Sequence, residues 1–250
     1  MRLSLFLAAA AAVLAAFIAA PAARAQTFSE AQRGEIERIV KDYLIAHPEV
    51  LQEVMSEMEK RQAAAESEKQ LTGVRDNKEL LFNSPHQVTI GNPQGDVTMV
   101  EFFDYNCGYC KRALSDMLEL MKADPNLRVV LKEYPVLGPG SIEAAQVSVA
   151  VRMQDKTGKK YLEFHQKLLS GRGQADKARA LAAAKEVGLD MGRLEKDLAS
   201  EEVRTTLQES LRLADAVGLN GTPSYVIGSN VVVGALGFAV LKEKVDIARR

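Results

Sequence analysis

The sequence predicts an α/β protein: a β-β-α-β unit, a helical insertion, a closing β-β-α unit, and a helical extension ahead of them. Three observations lead there. Apolar runs of strand character occur at Val88–Ile90, Val97–Phe103 and Leu127–Tyr134. From Ser141 to Val217 the pattern is helical throughout, and strand character then returns at Ser224–Ile227 and Val231–Val233. The 250 residues carry 32 Lys+Arg against 33 Asp+Glu, and a net charge of -1 gives no basic footprint for a nucleic acid. Two cysteines and three dispersed histidines exclude a disulfide-rich scaffold, a four-thiolate zinc site and a histidine-rich metal centre.

Residues 1–25 have the form of an export signal. Arg2 supplies the positive start, Leu3–Ala20 is uncharged and largely apolar, and Ala23-Arg24-Ala25 offers a small-x-small cleavage pattern. A retained membrane anchor is the competing reading. The run is mostly alanine, however, and the cleavage pattern follows at once, so cleavage after Ala25 is expected. The mature chain then begins at Gln26, and without Arg2 and Arg24 its charge falls from -1 to -3. Export places both cysteines in an oxidising compartment.

Residues 26–70 read as a helical segment. Ser29 with Gln32 fits a capping box, and Ile36, Ile39, Val40, Tyr43 and Leu44 form one apolar stripe. Pro48 suits the first position of a second helix bearing Val50, Leu51, Val54, Met55 and Met58. Positions 36, 40, 43, 50, 54 and 58 approximate a heptad seam, followed by a polar stretch from Ala63 to Gln70. Such a stripe either packs on its own domain or joins copies of the chain, and the polar stretch favours self-association. Residues 71–250 form the main domain, with the helical insertion at about 140–217. Within it, Asn92–Asp96 reads as a turn, Cys107–Met121 as a helix, Gly228-Ser229-Asn230 as a hairpin turn, and Phe238–Arg250 as the last helix.

The chemistry is concentrated at Cys107-Gly108-Tyr109-Cys110, a C-x-x-C that follows a strand and opens a helix. A helix N-terminus presents unpaired N–H groups and partial positive charge, which stabilise a thiolate. Cys107 is therefore expected to be the exposed nucleophile and Cys110, one turn further in, the resolving thiol. A zinc half-site would need a second ligand pair, and haem attachment would need His where Lys111 stands. A structural disulfide closing four residues would constrain little of the unfolded chain. Far along the sequence, Thr222-Pro223 precedes the strand Ser224–Ile227; taken alone, its peptide bond is expected to be trans.

A strand, a C-x-x-C at a helix start, and a late X-Pro before a hairpin and terminal helix together resemble the thioredoxin fold. The helical insertion and the run Val100-Glu101-Phe102-Phe103-Asp104-Tyr105-Asn106-Cys107 resemble its DsbA-like branch, over about Leu81 to Ala248. That resemblance implies a thioredoxin fold with an inserted helical domain. It also implies a cis Pro223 facing the redox pair, with Thr222 as its tuning neighbour. Glu101 falls at the family's buried acid and Lys132 at its partner lysine; both would lie under Cys110 and move its proton. From the residues alone, Glu101 could equally face solvent.

Two details depart from DsbA oxidases, which carry Pro-His between the cysteines and Val before the proline. Gly108-Tyr109 with Thr222-Pro223 is instead the pairing of DsbC-like isomerases. With no histidine in the ring to stabilise the thiolate, the pair should be less oxidising. A DsbA-like body, isomerase-like motifs and a helical stalk together resemble the ScsC group of periplasmic proteins. The resemblance implies a periplasmic disulfide isomerase or reductase acting on unfolded or mis-disulfided exported proteins. A ScsB- or DsbD-like membrane thiol reductase would supply its electrons, and it would be a homo-oligomer, a trimer before a dimer. The alternatives are a DsbA-type oxidase and, further off, a copper protein binding Cu(I) through two thiolates. No cofactor beyond the redox disulfide is expected.

Overall fold

The computed structural model describes residues 28–155 and 157–250; the expected leader, with its cleavage site after Ala25, lies outside the described residues. The chain divides between Lys60 and Arg61 into two compact units. In the first, α1 (Glu30–Ala46) begins with the expected capping box: Ser29 Oγ accepts from the Gln32 amide, and the Gln32 side chain accepts from the Ser29 amide. His47 ends α1, and Pro48 opens α2 (Pro48–Asp76). No residue of α1 is buried, and Ile39, Val40, Tyr43, Val54, Met55 and Met58 are all at least half exposed.

The polar stretch 63–70 does not break the helix. Ala63-Ala64-Ala65 and the Glu, Lys and Gln residues that follow are strong helix formers, so α2 continues to Asp76. Its final turns belong to the second unit and pack there. A Cβ on Gly73 would lie 2.1 Å from the Ala216 carbonyl oxygen, so only glycine allows this approach.

The second unit continues with α3 (Lys78–Asn83), β1 (Val88–Gly91), β2 (Val97–Phe103), α4 (Gly108–Ala123) and β3 (Leu127–Glu133). Five helices follow as the insertion: α5 (Pro139–Gln154), α6 (Lys159–Ser170), α7 (Lys177–Glu186), α8 (Met191–Leu198) and α9 (Glu201–Ala216). β4 (Ser224–Ile227), β5 (Asn230–Val233) and α10 (Phe238–Ala248) close the chain. The sheet order is β1-β3-β2-β4-β5; β2 and β3 are parallel, joined through α4, and the other pairs are antiparallel.

The two central strands are buried on both faces, as their continuous apolar runs require. Met99, Phe103, Leu131, Tyr225 and Ile227 face one way, into a core shared with Leu114 and Met117 of α4 and Leu241 and Val245 of α10. Val100, Phe102, Val130 and Val226 face the other way, against Leu213 and Ala214 of α9 and Leu81 of α3. This parity decides where every ionisable strand residue ends up.

Candidate active site

Cys107 is itself the N-cap of α4. Its Sγ accepts from the Cys110 amide at 3.4 Å, so this sulfur satisfies one of the unpaired donors of the helix start. The turn leading into it is fixed by Asp104: Oδ1 accepts from the Asn106 amide and Ser141 Oγ, and Oδ2 from the Val136 and Leu137 amides. Asn106 then ties the turn to the insertion, exchanging hydrogen bonds with the backbone of Ala175 and donating to Ser141.

The Thr222–Pro223 peptide bond is cis. The Thr222 carbonyl lies 3.1 Å from Cys107 Sγ and can accept from its thiol. Both cysteines are free thiols, and the expectation that Cys107 is exposed is corrected: it is 5% exposed, packed in the core beside Cys110 at 1%, and the two differ in protonation. Hydrogen bonding from the Cys110 thiol, then from the Thr222 side chain and the Cys110 and Tyr109 amides, brings Cys107 down to about 5 against the opposing effect of burial. The same contact with Cys107, together with burial, pushes Cys110 up. One thiol is ready to attack at neutral pH while its neighbour holds its proton.

Gly108 and Tyr109 face outward. A Cβ at Gly108 would meet nothing within 4 Å, and Tyr109 is 59% exposed with the Arg112 guanidinium 4.5 Å from its ring centroid. Steric need therefore does not explain glycine at 108.

Glu101 is buried at 3% exposure on the α4 side of the sheet, and its carboxyl is pushed up to about 8 by burial, then by the charges of Asp116 and Cys107. Lys132 is not beside it. In the parallel register Glu101 pairs with Leu131 and Lys132 with Phe102, so the lysine belongs to the opposite face. There its Nζ donates to the Leu80 carbonyl at 2.8 Å and lies 3.7 Å from a Glu209 carboxylate oxygen. The expectation that Lys132 lies under Cys110 is thus corrected: successive strand residues point to opposite faces, and 132 has the wrong parity.

The residue with the right parity is Glu133, opposite Phe103. Its Oε1 accepts from Ser148 Oγ and from Tyr161 Oη at 2.8 Å, within a buried group completed by Tyr105 and His165. Burial pushes Glu133 up to about 8 and His165 down to about 3. Tyr225 and Asp116 complete the surroundings of the redox pair. Tyr225 faces Glu101 across β2 and β4, and its hydroxyl is pushed up by burial and then by Glu101, Cys110, Asp116 and Cys107. Sequence reasoning passed over Glu133 and Tyr225, although Tyr225 shares its face with Ile227 two residues on and Glu133 with Leu131 two residues back, as strand alternation requires.

Comparison with known proteins gives the site a context. A DSBA-like thioredoxin domain matches residues 98–246, and a copper resistance protein ScsC N-terminal domain matches residues 32–65. A thioredoxin-like oxidoreductase from Silicibacter pomeroyi is 44% identical, with a TM-score of 0.65 over 69% of this chain and 98% of that one. Proteus mirabilis ScsC in a transitional conformation is 28% identical, with a TM-score of 0.65 over 89% of this chain and 97% of that one. Among curated relatives, Na(+)/H(+) antiporter NhaA 1 of Salinispora arenicola is 28% identical over 160 residues, 63% of this chain. The chain spans only 24% of that antiporter's length.

Proposed function

The chain belongs to the DsbA-like thioredoxin-domain family, and from that premise we propose that it is an exported thiol–disulfide oxidoreductase that rearranges or reduces protein disulfides through Cys107 and Cys110. The observation that carries this reading is the asymmetric thiol pair, with Cys107 lowered to about 5 at a helix N-terminus beside the Thr222 carbonyl and Cys110 buried and protonated behind it.

The Cys107 thiolate attacks one sulfur of a substrate disulfide, forming a mixed disulfide and expelling a substrate thiolate. Either a substrate thiolate then attacks the mixed disulfide, restoring the Cys107 thiolate with no net electron transfer, or Cys110 attacks it. The second route leaves the substrate reduced by two electrons and the protein as the Cys107–Cys110 disulfide, which an external dithiol must reduce. The Thr222-Pro223 backbone is the docking edge for substrate chain. Glu101 takes the proton from Cys110 as it attacks. Burial, then Asp116, keeps most of that carboxyl protonated near neutral pH; once Cys107 is in a mixed disulfide, loss of its negative charge eases ionisation of Glu101 by the smaller remaining part. Lys132, on the other face, has no part in these steps.

Isomerase and reductase work is favoured over oxidation on two grounds. Gly108 and Tyr109 stand between the cysteines, with no histidine there to stabilise the thiolate further, and Thr222 precedes the proline. The exposed stripe from Ile36 to Met58, with an apolar groove of about 690 Å³ between α1 and the start of α2, supports assembly into a homo-oligomer whose active sites share one substrate. Periplasmic placement and a membrane dithiol donor complete the proposal.

Reactivation of a scrambled-disulfide test protein, with a Cys107→Ala control, tests the reading. Cys107-dependent reactivation is the expected result; rapid oxidation of a reduced test protein without reactivation would establish the oxidase instead. Deleting residues 26–60, which leaves the second compact unit whole, should give a monomer by light scattering with weaker reactivation and unchanged thiol reactivity. Unchanged mass after the deletion would remove the assembly role.

A further inference from the structure

Glu101 and Tyr225 are direct partners across β2 and β4 and point into the same core as Cys110. Glu101 Oε2 and Tyr225 Oη are both buried, and neither has a hydrogen-bond partner among the described residues. A buried polar atom left unpaired costs about 1–3 kcal/mol, and two such atoms on facing residues are a coincidence that packing alone does not require. A tyrosine ring with no hydroxyl would fill the same space.

The surroundings give these atoms an outlet. Asp116 stands on α4 and is partly exposed, and its charge acts on both Glu101 and Tyr225. On the other sides Tyr225 meets no ionisable group among the described residues: Val232 is its partner on β5, and α10 presents Leu241 and Val245 while its Lys242–Asp246 pair is exposed. The groups that face Tyr225 are therefore Glu101 from β2 and Cys107, Cys110 and Asp116 from the redox helix. Lys132, which the family resemblance gave as the partner of Glu101, is on the far face.

We propose that Tyr225 and Asp116 form the route by which the proton that Glu101 takes from Cys110 leaves the core, with a water molecule joining the two unpaired oxygens. The inference rests on the reading of Glu101 as the proton acceptor. As Cys110 attacks the mixed disulfide, its proton passes to the Glu101 carboxylate. It moves on through the bridging water to Tyr225 Oη, as the hydroxyl passes its own proton through a second water to the Asp116 carboxylate, with which it makes no direct hydrogen bond. Asp116, at the surface, returns it to solvent. Tyr225 ends as it began, and one proton leaves for each disulfide closed. Tyr225 is a positioning residue here, acting through Glu101 and touching no substrate.

A chromogenic aryl disulfide, dithiobis-nitrobenzoate, separates the steps in the full mature chain. Attack by Cys107 releases the first coloured thiolate, and closure by Cys110 releases the second. Tyr225→Phe should leave the first phase unchanged and slow the second about 10-fold near neutral pH, below the 10²–10⁴ that direct proton transfer supplies. The deficit should close toward high pH, where hydroxide takes the Cys110 proton directly. Asp116→Asn should slow the second phase in the same pH-dependent way. Slowing by a constant factor at all pH, or no slowing while Glu101→Gln slows the second phase, would overturn the route and leave Glu101 in place. A second phase indifferent to Glu101→Gln would overturn both.

Discussion

Glu101 and Glu133 stand on neighbouring strands, face the same side of the sheet and are both pushed up to about 8 by burial. Their hydrogen bonding is opposite. Glu133 accepts from Ser148 and Tyr161 and sits within a closed polar group, whereas Glu101 leaves one oxygen unpaired next to the redox helix. A buried carboxyl that accepts from two side chains of the insertion is a structural joint, holding β3 to α5 and α6. One left short of partners is free to take and give a proton. A raised carboxyl alone therefore does not identify a working acid; its donors do.

The comparison breaks most visibly at Glu133. Glu133→Ala removes the common acceptor of Ser148 and Tyr161 and opens a hole between strand and insertion, so it should cost about 4 kcal/mol of stability in chemical denaturation. The Cys107 alkylation rate of the folded fraction should stay at its parent value. A large change in that rate would show that the two carboxyls are not separable.

Glu101→Gln should have the opposite signature. The folded-state value of Glu101, about 8, lies above its ordinary 4.5, so the folded chain binds the extra proton between those limits. Its contribution to stability is complete below about pH 4.5 and is lost as pH rises toward 8, by no more than about 1.4 kcal/mol per pH unit. The glutamine variant should match its parent near pH 4.5, exceed it increasingly toward pH 9, and reduce the intervening slope of Tm against pH to the part that Glu133, also raised to about 8, contributes. A parent slope retained in the variant would assign it to Glu133. The smallest effect is expected at Ser148→Ala, which removes one donor to Glu133 and one link to Tyr105, costs about 1–2 kcal/mol and, by removing a hydrogen bond that holds Glu133 down, extends the pH slope toward higher pH.

Much of this was legible beforehand. Ser29-x-x-Gln32 and Pro48 set both N-terminal helix starts, and the apolar runs located all five strands, because these signals act over a few neighbouring residues. The end of the α2 signal was misjudged because polar composition at 63–70 suggested a joint while helix propensity continued to Asp76. Lys132 enters from the family resemblance alone, and Glu133 stands next to it in the same run. Both are charged residues at the end of an apolar run, and only strand pairing says which one faces α4.

By itself, the sequence determined that a thiol pair opens a helix after a buried strand, and with it the asymmetry of Cys107 and Cys110, because the helix terminus and the two-residue spacing are local. The exposed apolar stripe of residues 36–58 was equally plain, since helical periodicity fixes a stripe whether or not anything covers it. The tertiary structure alone decided which carboxyl lies beneath the thiols, which has its donors supplied, and that Tyr225 faces Glu101. Those outcomes depend on register between strands far apart in the chain, where a shift of one residue exchanges the two faces.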